Sequence, residues 1–210
     1  EYRLFSLDAL VAGFSSAVKA RDPSVLTGVI TDAVWATASE REGGIDAESP
    51  VSGLTDRFAD ACKWMQSGFV DIVCPKLSYS TNHATLPFDK LMDWWSSAAA
   101  ENGVSLMPVH AAHKLGSAEK GWSSSGQLVM QLKAADGFAQ YAGSVIDDYA
   151  ALSGNPQECE LLKKYSAGTI NLSTIYYTLS VNAPKNNTVT NQSSIAIRGV
   201  PNRLAYTASK

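Results

Sequence analysis

The sequence predicts an α/β protein with parallel strands joined by helical crossovers, as in an α/β barrel or a doubly wound sheet. Amphipathic stretches alternate with short apolar runs in helix-then-strand units of about 35–40 residues. The apolar runs are nearly continuous, the pattern of strands buried on both faces. The turns from helix into strand are terse: Asp22-Pro23, Ser67-Gly68, Asn102-Gly103 and Ala142-Gly143. The segments that leave the strands, 31–53, 76–86 and 110–124, are longer and polar. In parallel α/β folds the loops after the strand C-termini carry the site, so these segments mark the expected functional face.

The elements follow in order. Leu7, Leu10, Val11, Phe14 and Val18 repeat with a helical period, and Arg21-Asp22-Pro23 ends that helix. A short strand is expected at 25–30 and a polar loop at 37–53. A second helix is expected over 54–65, with Leu54, Phe58, Ala61, Cys62 and Met65 on its apolar side. Gly68 stops it and a strand follows at 69–74. Pro87 belongs in the first turn of a helix over 87–100, where its missing N–H costs nothing. A strand at 104–109, a helix over 125–141, a short strand at 144–146 and a last helix over 156–165 complete the series. From Leu161 to Lys210 there is neither Asp nor Glu. In that tail 175–181 and 194–198 read as strands around a turn-rich stretch. The expected organisation is an α/β domain over 1–155, a terminal helix and linker over 156–182, and the start of a β-sandwich-like accessory module over 183–210.

Composition narrows the function. The 210 residues carry a formal net charge of −3, which gives no electrostatic reason for a nucleic-acid partner. No apolar run approaches the roughly 20 residues of a membrane span. Cys62, Cys74 and Cys159 lack metal spacing and read as free thiols. The text contains no P-loop, dinucleotide fingerprint, nucleophile elbow or EF-hand, and no cofactor is expected. His110-Ala-Ala-His113 has no evident third ligand, since the only other histidine is His83, and no metal is expected.

The strand ends supply Asp32 and Trp35, Lys76, Ser78 and Tyr79, His110, His113 and Lys114, and Asp147, Asp148 and Tyr149. Aromatic rings among charged and hydroxyl groups suit a sugar, whose C–H faces stack on rings while polar groups bond its hydroxyls. A glycosidase also needs a carboxyl pair, and Asp32 and Asp147 are the candidates. A strand-end aspartate serves equally as a helix cap or loop anchor. Trp35 and Trp122 lie in loops and are candidate sugar platforms; Trp64, Trp94 and Trp95 lie on helices and read as packing. Loop histidines bond substrate or backbone.

An ordered series of these segments resembles the glycosyl-hydrolase-like 10 family, bacterial (β/α)8-barrel proteins regarded as glycoside hydrolases. Glu1-Tyr2-Arg3-Leu4 with Asp22-Pro23-Ser24-Val25 is similar to the family's Asp-Trp-Arg-Arg helix and following strand. Residues 28–35 are similar to its Gly-Ile-Ser-Pro-Phe-Gly-Ile-Trp strand end. Lys63-Trp64 and Gly68-Phe69-Val70-Asp71-Ile72-Val73-Cys74-Pro75 match its Lys-Trp and Gly-Trp-(Ile/Val)-Asp-Tyr-Ile-(Ala/Cys)-Pro segments. Asp93-Trp94-Trp95, Ala111-Ala112-His113-Lys114-Leu115-Gly116 and Gly143-Ser144-Val145 continue the series over residues 1–152.

The resemblance implies the C-terminal half of the barrel, strands five to eight, with the family's Asp-Asp-Tyr strand-four segment outside this text. The tail resembles the start of an immunoglobulin-like module. The resemblance further implies a secreted or envelope-associated glycoside hydrolase, and a polysaccharide or peptidoglycan-type cell-wall glycan as substrate. In that reading Asp32 or Asp147 supplies a carboxyl, Trp35, Tyr79 and Trp122 stack on sugar, and Lys76, His110, His113 and Lys114 bond it. The polar positions depart from the family: Pro75-Lys76-Leu77-Ser78-Tyr79 stands for Pro-Gln-Ile-Tyr-Trp, His110 for a glutamine, His113 for a tyrosine, and Asp147-Asp148 for a Phe-Ser pair. Altered specificity follows, or alternatively a non-catalytic carbohydrate-binding protein on a degenerate barrel. A half-barrel would also expose its flanking strands and self-associate.

Overall fold

A computed structural model describes residues 2–48, 50–169 and 194–197, with side chains outside 167–169 and 194–197. The elements run α1 (Tyr2–Arg21), β1 (Gly28–Asp32), α2 (Gly53–Asp56), α3 (Ala61–Gln66), β2 (Ile72–Lys76), α4 (Phe88–Glu101), β3 (Ser105–Leu106), β4 (Val109–Ala111), α5 (Gln127–Ala135), β5 (Ser144–Asp147), α6 (Tyr149–Ser153), α7 (Pro156–Thr169) and β6 (Ser194–Ile197). One sheet takes the order β1-β2-β4-β5-β6, with β3 also beside β2. Strands β1 to β5 pair in parallel. The expected α/β protein with a parallel sheet is thus present, and it is compatible with part of an α/β barrel. Within the segment expected to open an accessory module, β6 pairs antiparallel with β5. The expected strand at 175–181 lies outside the described residues.

Several boundaries differ from the sequence pattern for local reasons. The helix expected over 54–65 is two helices, because Phe58 takes a positive φ of 57° that no α-helix accommodates. Ser52 caps the first, its hydroxyl accepting from the Thr55 N–H. Asp60 caps the second, accepting from the Lys63 N–H at 3.1 Å. The strand expected at 104–109 is interrupted at Met107-Pro108, where Pro108 has no N–H to give a ladder. The helix expected over 125–141 stops at Ala135, and α6 was not foreseen.

Register and side-chain alternation divide the sheet into two faces. Gly28 pairs with Ile72, Ile30 with Cys74 and Asp32 with Lys76. Lys76 pairs in turn with Val109, Val109 with Val145, and Ala111 with Asp147. These residues share one face. The opposite face carries Val73 and Leu106, packed into one core with Leu91 and Trp95 of α4. Farther along, it carries Ile146, packed with Leu128 and Leu132 of α5. The Trp95 Nε1–H donates to the Ala33 carbonyl at 2.8 Å and fixes α4 beneath the end of β1. Helices therefore cover one face, while on the other Ile30 remains 55% exposed.

The β1 side of the sheet holds α1 by polar contacts. Asp8, buried in α1, accepts from Lys63 Nζ and from Trp64 Nε1, each at 2.6 Å. At its other end Lys19 Nζ donates to Asp71 at 2.8 Å, and Asp71 also accepts from the Thr27 N–H at 2.7 Å. Burial raises the Asp71 carboxyl, but the hydrogen bonds from Lys19 and Thr27 and the Lys19 charge outweigh it and lower its pKa. Leu4, Leu7 and Val11 pack on the core, whereas Tyr2, Phe5, Leu10 and Phe14 are exposed. Leu10 and Phe14 line an apolar cleft of about 310 Å³ with Gly28, Val29, Phe69 and Val70, next to the edge of β1 that no other described strand pairs.

Candidate active site

The site grows from the C-terminal rim of the face that the helices leave uncovered. There Asp32 and Lys76 sit in register on neighbouring strands, about 4.8 Å apart along the hydrogen-bonding direction. Asp32 Oδ2 also lies 3.8 Å from Arg57 Nε. The break between α2 and α3 delivers this guanidinium, so a residue expected inside a helix becomes part of a strand-end loop.

Three residues beyond Lys76, Tyr79 stands edge-on to His83 with ring centroids 4.9 Å apart. Burial, then the negative charges of Asp32 and Glu119, push its phenol above the ordinary tyrosine value. The phenol is thus a neutral donor in a locally negative part of the rim. Glu119 is itself held by Lys114, whose Nζ donates to Oε2 at 2.7 Å.

The loop that carries Glu119 is tied closely to the loop that carries Tyr79. The Ser80 hydroxyl is buried and donates to the Lys120 carbonyl at 2.6 Å. The Gln127 amide donates to the Gly121 carbonyl at 2.9 Å and accepts from the Thr81 N–H at 2.9 Å. Gly121, at φ +89°, packs on Ser80 so closely that a Cβ would stand 2.6 Å from the Ser80 Cβ. Only glycine fits both that conformation and that gap. The 110–124 segment is anchored again at its C-terminal end. Glu158, fully buried, accepts from the Gly126 N–H and from the Leu128 N–H at 3.0 Å, capping the start of α5.

Of the residues singled out from sequence, the structure thus gathers Asp32, Lys76, Tyr79 and Lys114. Asp147 shares their face, but three strand spacings separate it from Asp32 in the order β1-β2-β4-β5. That is on the order of 14 Å along the sheet. The carboxyls of a glycosidase pair stand roughly 5–9.5 Å apart. Asp148 caps α6, accepting from the Ala151 N–H at 2.6 Å. His113 is exposed on the 3-10 turn at Ala112–Lys114.

The remaining three are buried. His110 lies on the helix-covered face, with Nε2 2.7 Å from Ser144 Oγ and Nδ1 2.9 Å from Gln131 Oε1. Its ring stacks on Phe88 at 5.5 Å, and burial pushes its pKa down to about 4. Trp122 belongs to the core beneath β4 and β5, beside Ala111, Leu128 and Ile146. Trp35 turns into the helix layer, where its Nε1–H donates to Asp60 Oδ1 at 3.0 Å and its ring stacks on Trp94. Cys74 shares the uncovered face, but burial pushes its thiol up to about 12, so it is no nucleophile at neutral pH.

Arg57 and Glu119 are the site residues that sequence reasoning passed over. Glu119 stood inside the polar 110–124 segment already marked as a strand-end loop, a signal that was present. Arg57 had none, because its exposure depends on the positive φ of Phe58.

No family model matches the chain. It is 27% identical over 157 residues to a protein named glycosyl hydrolase YngK from Bacillus subtilis (strain 168), across 74% of this chain and 31% of that protein. It is 24% identical over 157 residues to one named glycosyl hydrolase DigH from Escherichia coli (strain K12), across 71% of this chain and 36% of that protein. The chain therefore spans about a third of the length of these curated relatives. Together with the parallel sheet and the rim of Asp32, Lys76 and Tyr79, these matches support a glycoside-hydrolase-like family for the chain.

Proposed function

We propose that this chain forms part of a glycoside hydrolase barrel, strands five to eight, acting on a polysaccharide or a peptidoglycan-type cell-wall glycan outside the cytoplasm. The observation that carries this reading is Asp32 in register with Lys76 at the C-terminal rim of a parallel sheet, where barrel enzymes hold substrate. The negative charges of Asp32 and Glu119 both raise the pKa of the Tyr79 phenol in the loop that follows. Among the described residues, the uncovered face, the unpaired β1 edge and the apolar cleft beside it support a partial barrel, since further strands and helices would bury them. Tyr79 then donates to a sugar hydroxyl, and Lys76 and Lys114 bond hydroxyls or acidic substituents. His113 reaches the ligand from the neighbouring turn. Trp35, Trp122 and His110 support the rim from within rather than touching sugar. An immunoglobulin-like module after the barrel completes the proposed organisation.

The distance along the sheet between Asp32 and Asp147 favours one alternative, a carbohydrate-binding protein without turnover. Calorimetry and reducing-end release on a panel of peptidoglycan glycan strands and plant and bacterial polysaccharides separate the two. The expected result for the 210-residue chain is binding without turnover, and turnover in a longer natural polypeptide that includes it. Binding without turnover in both selects the alternative. Failure to bind any glycan sinks both readings.

A further inference from the structure

A second cavity, of about 350 Å³, opens on the helix layer and is lined by Trp35, Trp94, Glu42, Glu101, Gln66 and Ser97 among others. It lies between α4, the end of α3 and the loop that follows β1, away from the rim of Asp32 and Tyr79. Its size is near the lower end of the roughly 300–1,000 Å³ of small-molecule pockets, right for a sugar ring and too small for a long polymer.

The chemistry of its walls is specific. Trp35 and Trp94 stack with centroids 5.8 Å apart and an interplanar angle of 22°. Both indole N–H groups are already committed: Trp35 to Asp60 at 3.0 Å, Trp94 to the Gly43 carbonyl at 2.9 Å. The rings therefore offer a ligand only apolar surface and the negative face of their π-systems. Among the described residues Glu42 and Glu101 make no ion pair or hydrogen bond, so their oxygens are open acceptors. Among the described residues no lysine, arginine or histidine lines the cavity. The Cys62 thiol in its wall reports the resulting field: burial, then the charges of Asp60 and Glu101, push it up to about 12, with Arg41 alone opposing. Among the described residues the cavity is thus negative, without a side-chain cation, and faced with tryptophan.

We infer that this cavity is a binding site for a sugar carrying a free ammonium group, a hexosamine. The sugar's C–H face would lie against the tryptophan pair, its ammonium between Glu42 and Glu101, and its hydroxyls on Gln66 and Ser97. An N-acetylated sugar replaces the cation with a neutral amide, and an acidic sugar meets two like charges. A quaternary ammonium has no N–H to donate to the carboxylates and no hydroxyls to exchange for water on the exposed Gln66 and Ser97. The inference does not rest on catalysis at the rim.

Titration of the 210-residue chain with glucosamine, glucose, N-acetylglucosamine and choline, followed by tryptophan fluorescence and calorimetry, tests it. Glucosamine is expected to bind at least about tenfold more tightly than the other three. Glu42→Gln together with Glu101→Gln should weaken glucosamine by about tenfold or more. Both carboxylates are exposed, so the fold should survive the change. Glu119→Gln, at the rim, should leave glucosamine affinity unchanged while lowering affinity for the polymeric glycan. Absence of glucosamine binding, equal binding of glucose or choline, or indifference to the double substitution would each overturn the inference without touching the rim.

Discussion

His110 Nε2 lies 2.7 Å from Ser144 Oγ, which itself is 2.8 Å from the Tyr141 hydroxyl. This contact joins β4 to β5 beneath the sheet, where burial keeps the imidazole neutral. An unfolded histidine takes up its proton near pH 6.5, whereas the folded His110 does so only near about 4. Between those values the unfolded state binds more protons, so stability falls as pH drops through the window and is fully present above it. The loss approaches roughly 3 kcal/mol below pH 4. Urea midpoints across pH 4–7 should show this slope in the native chain and lose it in His110→Gln. An unchanged slope in the variant would place the effect elsewhere.

Gly121 sits at φ +89° against Ser80 and Asn82. Gly121→Ala combines a disfavoured backbone with a methyl 2.3 Å from Asn82 Oδ1 and 2.6 Å from Ser80 Cβ. The expected cost is about 2–4 kcal/mol, because the close atoms belong to a buried, hydrogen-bonded serine and its turn. Chemical denaturation measures it. Glycan affinity should fall as well, because this contact helps tie the loop of Glu119 to the loop of Tyr79.

Asp8 carries two donors, Lys63 Nζ and Trp64 Nε1. Asp8→Ala leaves the buried indole N–H unpaired and should destabilise the chain by about 2–4 kcal/mol. Asp8→Asn keeps an acceptor for the indole and should cost less than half of that. Equal midpoints for the two variants would show that the charge, not the Trp64 hydrogen bond, holds α1 in place.

Tyr79→Phe and Glu119→Gln address the rim. Each should weaken glycan binding by about 1–2 kcal/mol, as expected for a lost hydrogen bond to a neutral or charged group. Thermal midpoints should stay within about 2 °C of the native chain, since neither change opens a core cavity. Calorimetry with the best-binding glycan reads the first effect and a melting scan the second. Unaltered affinity in both variants would remove this rim from the site.

The repeated helix-strand text foretold the parallel order, because a strand buried on both faces leaves a dense apolar run such as Ile72-Val73 and a crossover helix leaves its own period. Asp32 and Lys76 were legible as rim residues for the same reason: both follow apolar runs and precede polar loops. His110 and Trp35 share that signature yet point elsewhere. A strand reverses its face at every residue, so a single step separates Val109, in register with Lys76, from His110 on the helix face. Nothing in the local text records which step is taken.

The sequence by itself determined the α/β class, the loop-rich end of the sheet and the likeness to glycoside hydrolases, since hydrophobic period and turn chemistry are local properties. Tertiary structure alone decided that the loop of Glu119 is tied to the loop of Tyr79, that Arg57 meets Asp32, and that Trp35 meets Trp94 rather than the rim. Those meetings depend on register, on the positive φ of Phe58 and on the Gly121–Ser80 contact, which bring residues distant in the chain within reach.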